Sequence, residues 1–245
     1  MKYLLFGDIH GRDLKDIQKV IEEEKPDQIV CLGDFDTPAC IEQWLEIRKN
    51  YKTITVPGNH DLAFLYNDEI TSGIWTNYID MKFEDLKKEL VDNRNAWEYL
   101  ESLAKNTIWT GEIAGRKALV IHGGLAGSLE SYPECPKELR PLWYRLLGTE
   151  GELENLWSNF KKLEERGYEL MIRGHDHVSA FFKKEGNVIS WKRAKEKEEE
   201  TELPGADASV IISVGSYFFG DFVLLEGDRV KFRKIDPDYR CFIYL

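Results

Sequence analysis

The chain has no run of about 18 consecutive apolar residues, the length a membrane-spanning helix needs, and no Cys-x-x-Cys pair. The first absence leaves no segment that reads as a span. The second removes the spacing used by thiolate zinc sites and redox motifs. The four cysteines, Cys31, Cys40, Cys135 and Cys241, stand far apart and read as reduced thiols of an intracellular chain. Cys31 lies in an apolar run and reads as core. A basic excess is also missing, for the formal net charge is -11. A broad nucleic-acid footprint needs clustered Lys and Arg, so polymer binding is not expected. Net charge ignores bound cations, so a small anionic substrate stays open. The opening MKYLLFGDIHG meets Asp8 too early for the apolar core of a signal peptide, and the expected location is the cytoplasm. Histidine is scarce too, with five in 245 residues.

What is present is an ordered alternation of strand and helix. Residues 2–6 form a short apolar run that stops at Gly7. Residues 13–24 set Leu14, Ile17, Val20 and Ile21 on one helical face before Pro26. Residues 28–32, 39–50 and 53–56 repeat the pattern as strand, helix and strand. Two β-α-β units in succession imply a parallel sheet with right-handed crossovers. Helical spacing returns at 82–91, 95–105 and 152–166, with buried strands at 117–121 and 169–173. Residues 123–150 are long for a connection. The last part reads as strands at 178–183, 187–191, 208–214, 221–225 and 229–235, with Gly186-Asn187 and Gly227-Asp228 as turns. The stretch AKEKEEETELPG (194–205) reads as a solvated charged loop.

The polar residues fall where the strands end. Asp8 and His10 follow the first strand and Asp34 the second. Asn59, His60 and Asp61 follow the third. His122 closes the strand at 117–121, and His175 and His177 follow that at 169–173. In an open α/β sheet, ligands bind beyond the carboxyl ends of the strands, so these distant residues are expected to converge. Two carboxylates, four imidazoles and an amide oxygen suit manganese, zinc or iron. Two ions about 4 Å apart that share a bridging water would lower its pKa and make it a nucleophile toward phosphorus. A lone histidine beside a glycine would more often be an ordinary turn residue. Here every histidine lies at a strand end beside glycine or a carboxylate.

The pieces GDIHG (7–11), GD (33–34), GNHD (58–61), HGG (122–124) and GHDH (174–177) together resemble the calcineurin-like metallophosphoesterase superfamily. They occur in that family's order. The resemblance implies an α/β fold, a four-layer αββα sandwich with two mixed central β-sheets flanked by helices. It implies one domain over 1–245, with a partly helical insert around 123–165. It implies two divalent metal ions, manganese first and iron, zinc or nickel as others. Carried over by motif, Asp8, His10, Asp34 and His177 would hold one ion, and Asp34, Asn59, His122 and His175 the other. His60 would contact phosphate and protonate the leaving oxygen, oriented by Asp61.

The substrate is less legible. Phosphoprotein phosphatases of this superfamily carry GDxVDRG and GNHE, whereas this chain has GDFDTPA and GNHDLA, with Val56-Pro57 where an arginine would precede the latter. The smaller phosphodiesterases are a closer match. The expected activity is therefore a phosphodiesterase or a small-molecule or nucleotide phosphatase. A phosphoprotein phosphatase and a non-catalytic scaffold are the alternatives. Arg12, Arg140 and Arg145 are open as replacements for the missing clamp. Trp143 and Tyr144 suit either a nucleobase or a core patch. Phe35, Phe64 and Tyr217 are further candidate pocket walls.

Overall fold

The computed structural model describes residues 1–66, 83–127, 140–148, 151–195 and 197–235. Cys135, Cys241 and much of the long connection at 123–150 lie outside the described residues.

The first half alternates as its periodicity predicts: β1 (Lys2–Phe6), α1 (Lys15–Glu24), β2 (Gln28–Cys31), α2 (Pro38–Asn50), β3 (Thr53–Thr55) and α3 (Asn59–Tyr66). Next come α4 (Phe83–Asp92), α5 (Arg94–Leu103), β4 (Ile108–Ile113), β5 (Arg116–Ile121), α6 (Arg140–Trp143), α7 (Glu152–Glu165) and β6 (Leu170–Arg173). The rest is β7 (Ser179–Glu185), β8 (Val188–Arg193), β9 (Glu198–Glu202), β10 (Ala208–Val214), a 3₁₀ turn at Tyr217–Phe219, β11 (Asp221–Glu226) and β12 (Arg229–Lys234). Local chemistry sets the ends. Thr37 caps α2 by accepting Cys40 N–H at 3.3 Å, and Pro38 takes the first helical position, where its missing N–H costs nothing. Lys25 leaves α1 in left-handed backbone at φ 48°, and Pro26 cannot continue the helix.

Two six-stranded mixed sheets result, ordered β3-β2-β1-β11-β12-β9 and β4-β5-β6-β10-β7-β8. The two-residue alternation of strands builds the layers. Leu4 and Phe6 of β1 pack with Ile17 and Ile21 of α1 and with Ile41 and Trp44 of α2. Tyr3 and Leu5 point the other way and meet Val120, Ile172 and Ile212 of the second sheet. On its far side, Leu119, Met171 and Ile211 pack under Leu156, Phe160 and Leu163 of α7. Each fully buried aliphatic side chain contributes about 1.5–3 kcal/mol, and this αββα stack uses both faces of both sheets. Cys31 is part of the helix-side core.

Three elements differ from the sequence reading. The segment read as a solvated loop contains β9, an edge strand paired antiparallel with β12, in register Glu202↔Arg229, Glu200↔Lys231 and Glu198↔Arg233. Opposite charges across the ladder support the pair, and an acidic edge resists further strand addition. Helix α3 has no polar face to read, since Asn59 through Phe64 are all buried. Strand β4 is a half-exposed edge carrying Gly111 in mid-strand. No helix among the described residues is long and apolar enough to cross a membrane.

Candidate metal centre and proton donor

Strands β1, β2 and β3 run parallel, as do β5, β6 and β10. Their carboxyl ends bring the histidines, Asp8, Asp34, Asn59 and Asp61 to one place. Asp8, Asp34, Asn59, His10, His60, His122 and His175 are buried. The backbone there is unusual. Asp8, His10, Asp34, Asp36, His175 and His177 all have positive φ, from 46° to 71°. Strained backbone of this kind clusters at functional sites. Glycine appears where a Cβ could not fit. One on Gly58 would fall on the Asp34 carboxylate, and one on Gly174 would strike the Asp8 carboxylate.

Hydrogen bonds fix which imidazole nitrogens face inward. His122 Nδ1 lies 2.6 Å from Leu32 O. A carbonyl can only accept, so Nδ1 donates and Nε2 is the nitrogen that points inward. That Nε2 is 3.1 Å from Asn59 Oδ1 and 3.2 Å from Asp34 Oδ2. His10 Nδ1 faces Asp36 Oδ2 at 3.0 Å, which leaves Nε2 facing His177 Nε2 at 3.0 Å. His177 Nε2 is in turn 3.3 Å from Asp8 Oδ1. Among the described residues, His175 Nε2 is buried without a hydrogen-bond partner. Asp8, His10 and His177 form one group of converging donor atoms, and Asp8, Asp34 and His122 another.

The donor set fits divalent cations on electrostatic grounds. Asp8, Asp34, Asp36 and Asp61 are at most 1% exposed. Among the described residues the ion-pair partners of Asp8, Asp34 and Asp36 are imidazoles, with no Lys or Arg. Buried carboxylates without a cation are costly. Burial alone would raise Asp34, yet the His122 and His60 imidazoles outweigh it and hold the carboxyl well below its usual range. Burial opposes charge on His122, but Asp34 and Asp8 prevail and raise it to about 9. Burial and Arg145 push His175 well below the usual imidazole range, the form a ligand needs.

His60 sits in the first turn of α3, and its partner differs from the expectation. Its Nδ1 faces Asp36 Oδ1 at 3.1 Å, not Asp61. Asp61 instead accepts backbone N–H from Asp34 at 2.8 Å, Phe35 at 2.9 Å and Gly58 at 2.8 Å. Those bonds hold the loop after β2 against the start of α3 and occupy both oxygens. Asp36 is the residue that the sequence reading missed. Against the cost of burial, Asp36 and Asp34 raise His60 to about 9, which favours its protonated form. Burial and Asp34 push Asp61 up to about 7.

The remaining sequence candidates separate cleanly. Arg12 is buried, donating to Tyr217 O at 2.9 Å and Phe218 O at 3.2 Å, with its guanidinium 4.7 Å from the Tyr217 ring centre. Phe35, Phe64 and Tyr217 are at most 1% exposed and belong to the core, so they are not pocket walls. Trp143 is buried, its ring centre 6.2 Å from that of His175. Arg145 lies beside it, partly exposed, donating to His175 O at 3.4 Å. Arg140 begins α6, and its Nε is buried without a partner among the described residues. Phe218 and Phe219, not singled out from sequence, stand edge-on to His10 and His177 at 6.3 Å and 6.0 Å.

The chain belongs to the calcineurin-like phosphoesterase superfamily, whose domain model matches residues 1–191. No curated protein matches it in sequence. The solved structure of a hypothetical protein from Pyrococcus horikoshii OT3 shares the fold, over 98% of this chain and 89% of that one, at 13% identity and a TM-score of 0.59. An archaeal phosphodiesterase is similar over 96% of this chain and 100% of its own, at 15% identity and a TM-score of 0.46. Vps29 of Chaetomium thermophilum is similar over 92% and 80%, at 13% identity and a TM-score of 0.44.

Proposed function

We propose that the chain hydrolyses the phosphate ester of a small molecule, nucleotide esters included, at a centre of two divalent ions. Asp8, His10, Asp34 and His177 would hold one ion. Asp34, Asn59, His122 and His175 would hold the other, with Asp34 common to both. The observation that carries this reading is the set of buried carboxylates and inward-facing imidazole nitrogens, whose ion pairs among the described residues include no Lys or Arg. Bound there, two such ions supply Lewis acidity toward phosphoryl oxygens and lower the pKa of water.

The chain's own residues supply the rest. His60 directs Nδ1–H to Asp36, which leaves Nε2–H to donate to the departing ester oxygen. Asp36 stabilises the cation before transfer. It also faces His10 Nδ1, so one carboxylate positions both the proton donor and a ligand. Arg145 is the available cation at the His175 side. Its bond to His175 O engages one of five guanidinium donors, and the others can take phosphoryl oxygens.

The test is hydrolysis of bis(p-nitrophenyl) phosphate, p-nitrophenyl phosphate and a phosphopeptide after chelation and resupply of Mn²⁺. Release of nitrophenol from the small esters is expected. Cleavage of the phosphopeptide alone would make the chain a phosphoprotein phosphatase. Full metal loading with no hydrolysis of any ester would make it a scaffold.

A further inference from the structure

Arg173 ends β6 as a fully buried cation. Its Nε donates to Gly123 O, next to His122. Its Nη1 reaches Asp176 Oδ2 at 2.5 Å and Ser213 Oγ at 3.3 Å, and its Nη2 reaches Tyr144 O at 3.5 Å. Asp176 stands between His175 and His177. The same Oδ2 accepts Leu146 N–H at 3.2 Å and Leu147 N–H at 3.0 Å. The pair therefore ties three stretches together: the turn after β5, the turn after β6 and the irregular segment 144–147.

Stability does not explain such a pair. Two charges taken out of water are often no better than well-packed apolar residues of the same volume, and Asp176 Oδ1 is buried without a hydrogen-bond partner among the described residues. What the pair does that apolar side chains cannot is satisfy directional backbone groups of a segment that belongs to neither six-stranded sheet. Tyr144 O, Leu146 N–H and Leu147 N–H are those groups, and Arg145 lies between them. Of the other arginines nearby, Arg12 is committed to Tyr217 and Phe218 carbonyls and Arg173 to the pair itself, while Arg140 starts α6 and Arg145 is the one that donates to the backbone of His175.

We propose that Arg173 and Asp176 are positioning residues for substrate. They hold segment 144–147 so that Arg145 faces the His175 side of the centre and binds the non-reacting oxygens of the phosphate ester. This rests on the phosphoesterase reading above. The pair acts through Arg145, so its effect belongs in KM rather than in metal binding or turnover.

The experiment is a double-mutant cycle of Asp176→Asn with Arg145→Ala, read as KM and kcat on bis(p-nitrophenyl) phosphate with Mn²⁺, together with bound metal and amide exchange of residues 144–147. Asp176→Asn should raise KM about tenfold, hold kcat within about twofold, leave bound metal unchanged and speed exchange. In the Arg145→Ala background the effect on KM should vanish. An equal effect on KM in both backgrounds, loss of metal, or unaltered exchange would overturn the proposal. Should Asp176→Asn fail to fold, Arg173→Lys replaces it. That variant keeps a cation opposite Asp176 and loses the fork to Gly123 and Tyr144. An inactive, metal-loaded wild type would reject the phosphoesterase reading, and the exchange measurement alone would then decide whether the pair holds the segment.

Discussion

Two kinds of turn that pass through left-handed backbone differ in which residues do it. At the β7–β8 and β11–β12 hairpins the residues are Gly186 and Gly227, where an added Cβ would meet nothing within 4 Å. At the ends of β1, β2 and β6 they are Asp8, His10, Asp34, Asp36, His175 and His177. Left-handed backbone costs a residue with a Cβ about 1–2 kcal/mol, and glycine avoids that cost. The hairpins take the cheap solution because nothing else is asked of them. The strand ends keep the side chains to which the proposed function gives metal binding and proton transfer, and strain is the consequence. Among the described residues most of the conformational cost thus falls at these strand ends, with Lys25 after α1 and Ala114 between β4 and β5 as the other non-glycine cases, and each contrast between the two kinds of turn can be tested.

The largest effect is expected at Gly58. In Gly58→Ala the new methyl would overlap the Asp34 carboxylate, so the proposed shared ligand would have to move. Hydrolysis should fall by about a thousandfold or more, since even a 1 Å misplacement costs about a hundredfold. Bound metal, read by plasma mass spectrometry, should fall with it. Retention of both would show that the close approach is not needed.

His60→Asn should come next. Loss of a general acid costs roughly 10²–10⁴-fold, and the loss should grow as the leaving group becomes poorer. Bound metal should stay at the wild-type level. Equal losses on nitrophenyl and alkyl esters would remove His60 from the proton-transfer step.

Asp36 and Asp61 separate two roles that the sequence left joined. Asp36→Asn should lower metal affinity and turnover by about 10–100-fold, because His10 and His60 both lose their carboxylate. Asp36 raises the pKa of His60. Removing that charge lowers it, so the alkaline limb of the pH–rate profile should move to lower pH. Asp61→Asn removes an acceptor of backbone N–H groups and should lower stability by about 1–3 kcal/mol in thermal unfolding, with the limb unmoved. The opposite pattern would restore Asp61 as the partner of His60. The smallest effect is expected at a hairpin. Gly186→Ala, at φ +55° in open space, should cost about 1 kcal/mol and leave hydrolysis and metal binding unchanged.

Much of this was legible because strand-end position and residue type agree. Apolar runs located β1, β2, β3, β5 and β6, and the histidines at their ends marked the site. Asp36 escaped because Phe35, a core residue, separates it from Asp34, and left-handed backbone at both aspartates cannot be read from the sequence. The available signal was two carboxylates spaced by one residue at a strand end. Arg173 escaped because a charge closing an apolar strand reads as the strand's exit to solvent, whereas here four acceptors bury it. Strand β9 escaped because EEETE lacks apolar alternation. Its order comes from the basic residues of β12 across the ladder, a non-local cause.

The central claim is that the strained strand ends exist to hold two cations for phosphate-ester hydrolysis. The most direct measurement is a Mn²⁺ titration of chelated protein, following bound metal and hydrolysis of bis(p-nitrophenyl) phosphate together. The account predicts two equivalents bound and hydrolysis that returns as the second binds. Saturation below two equivalents, or full hydrolysis by the chelated protein, would contradict it.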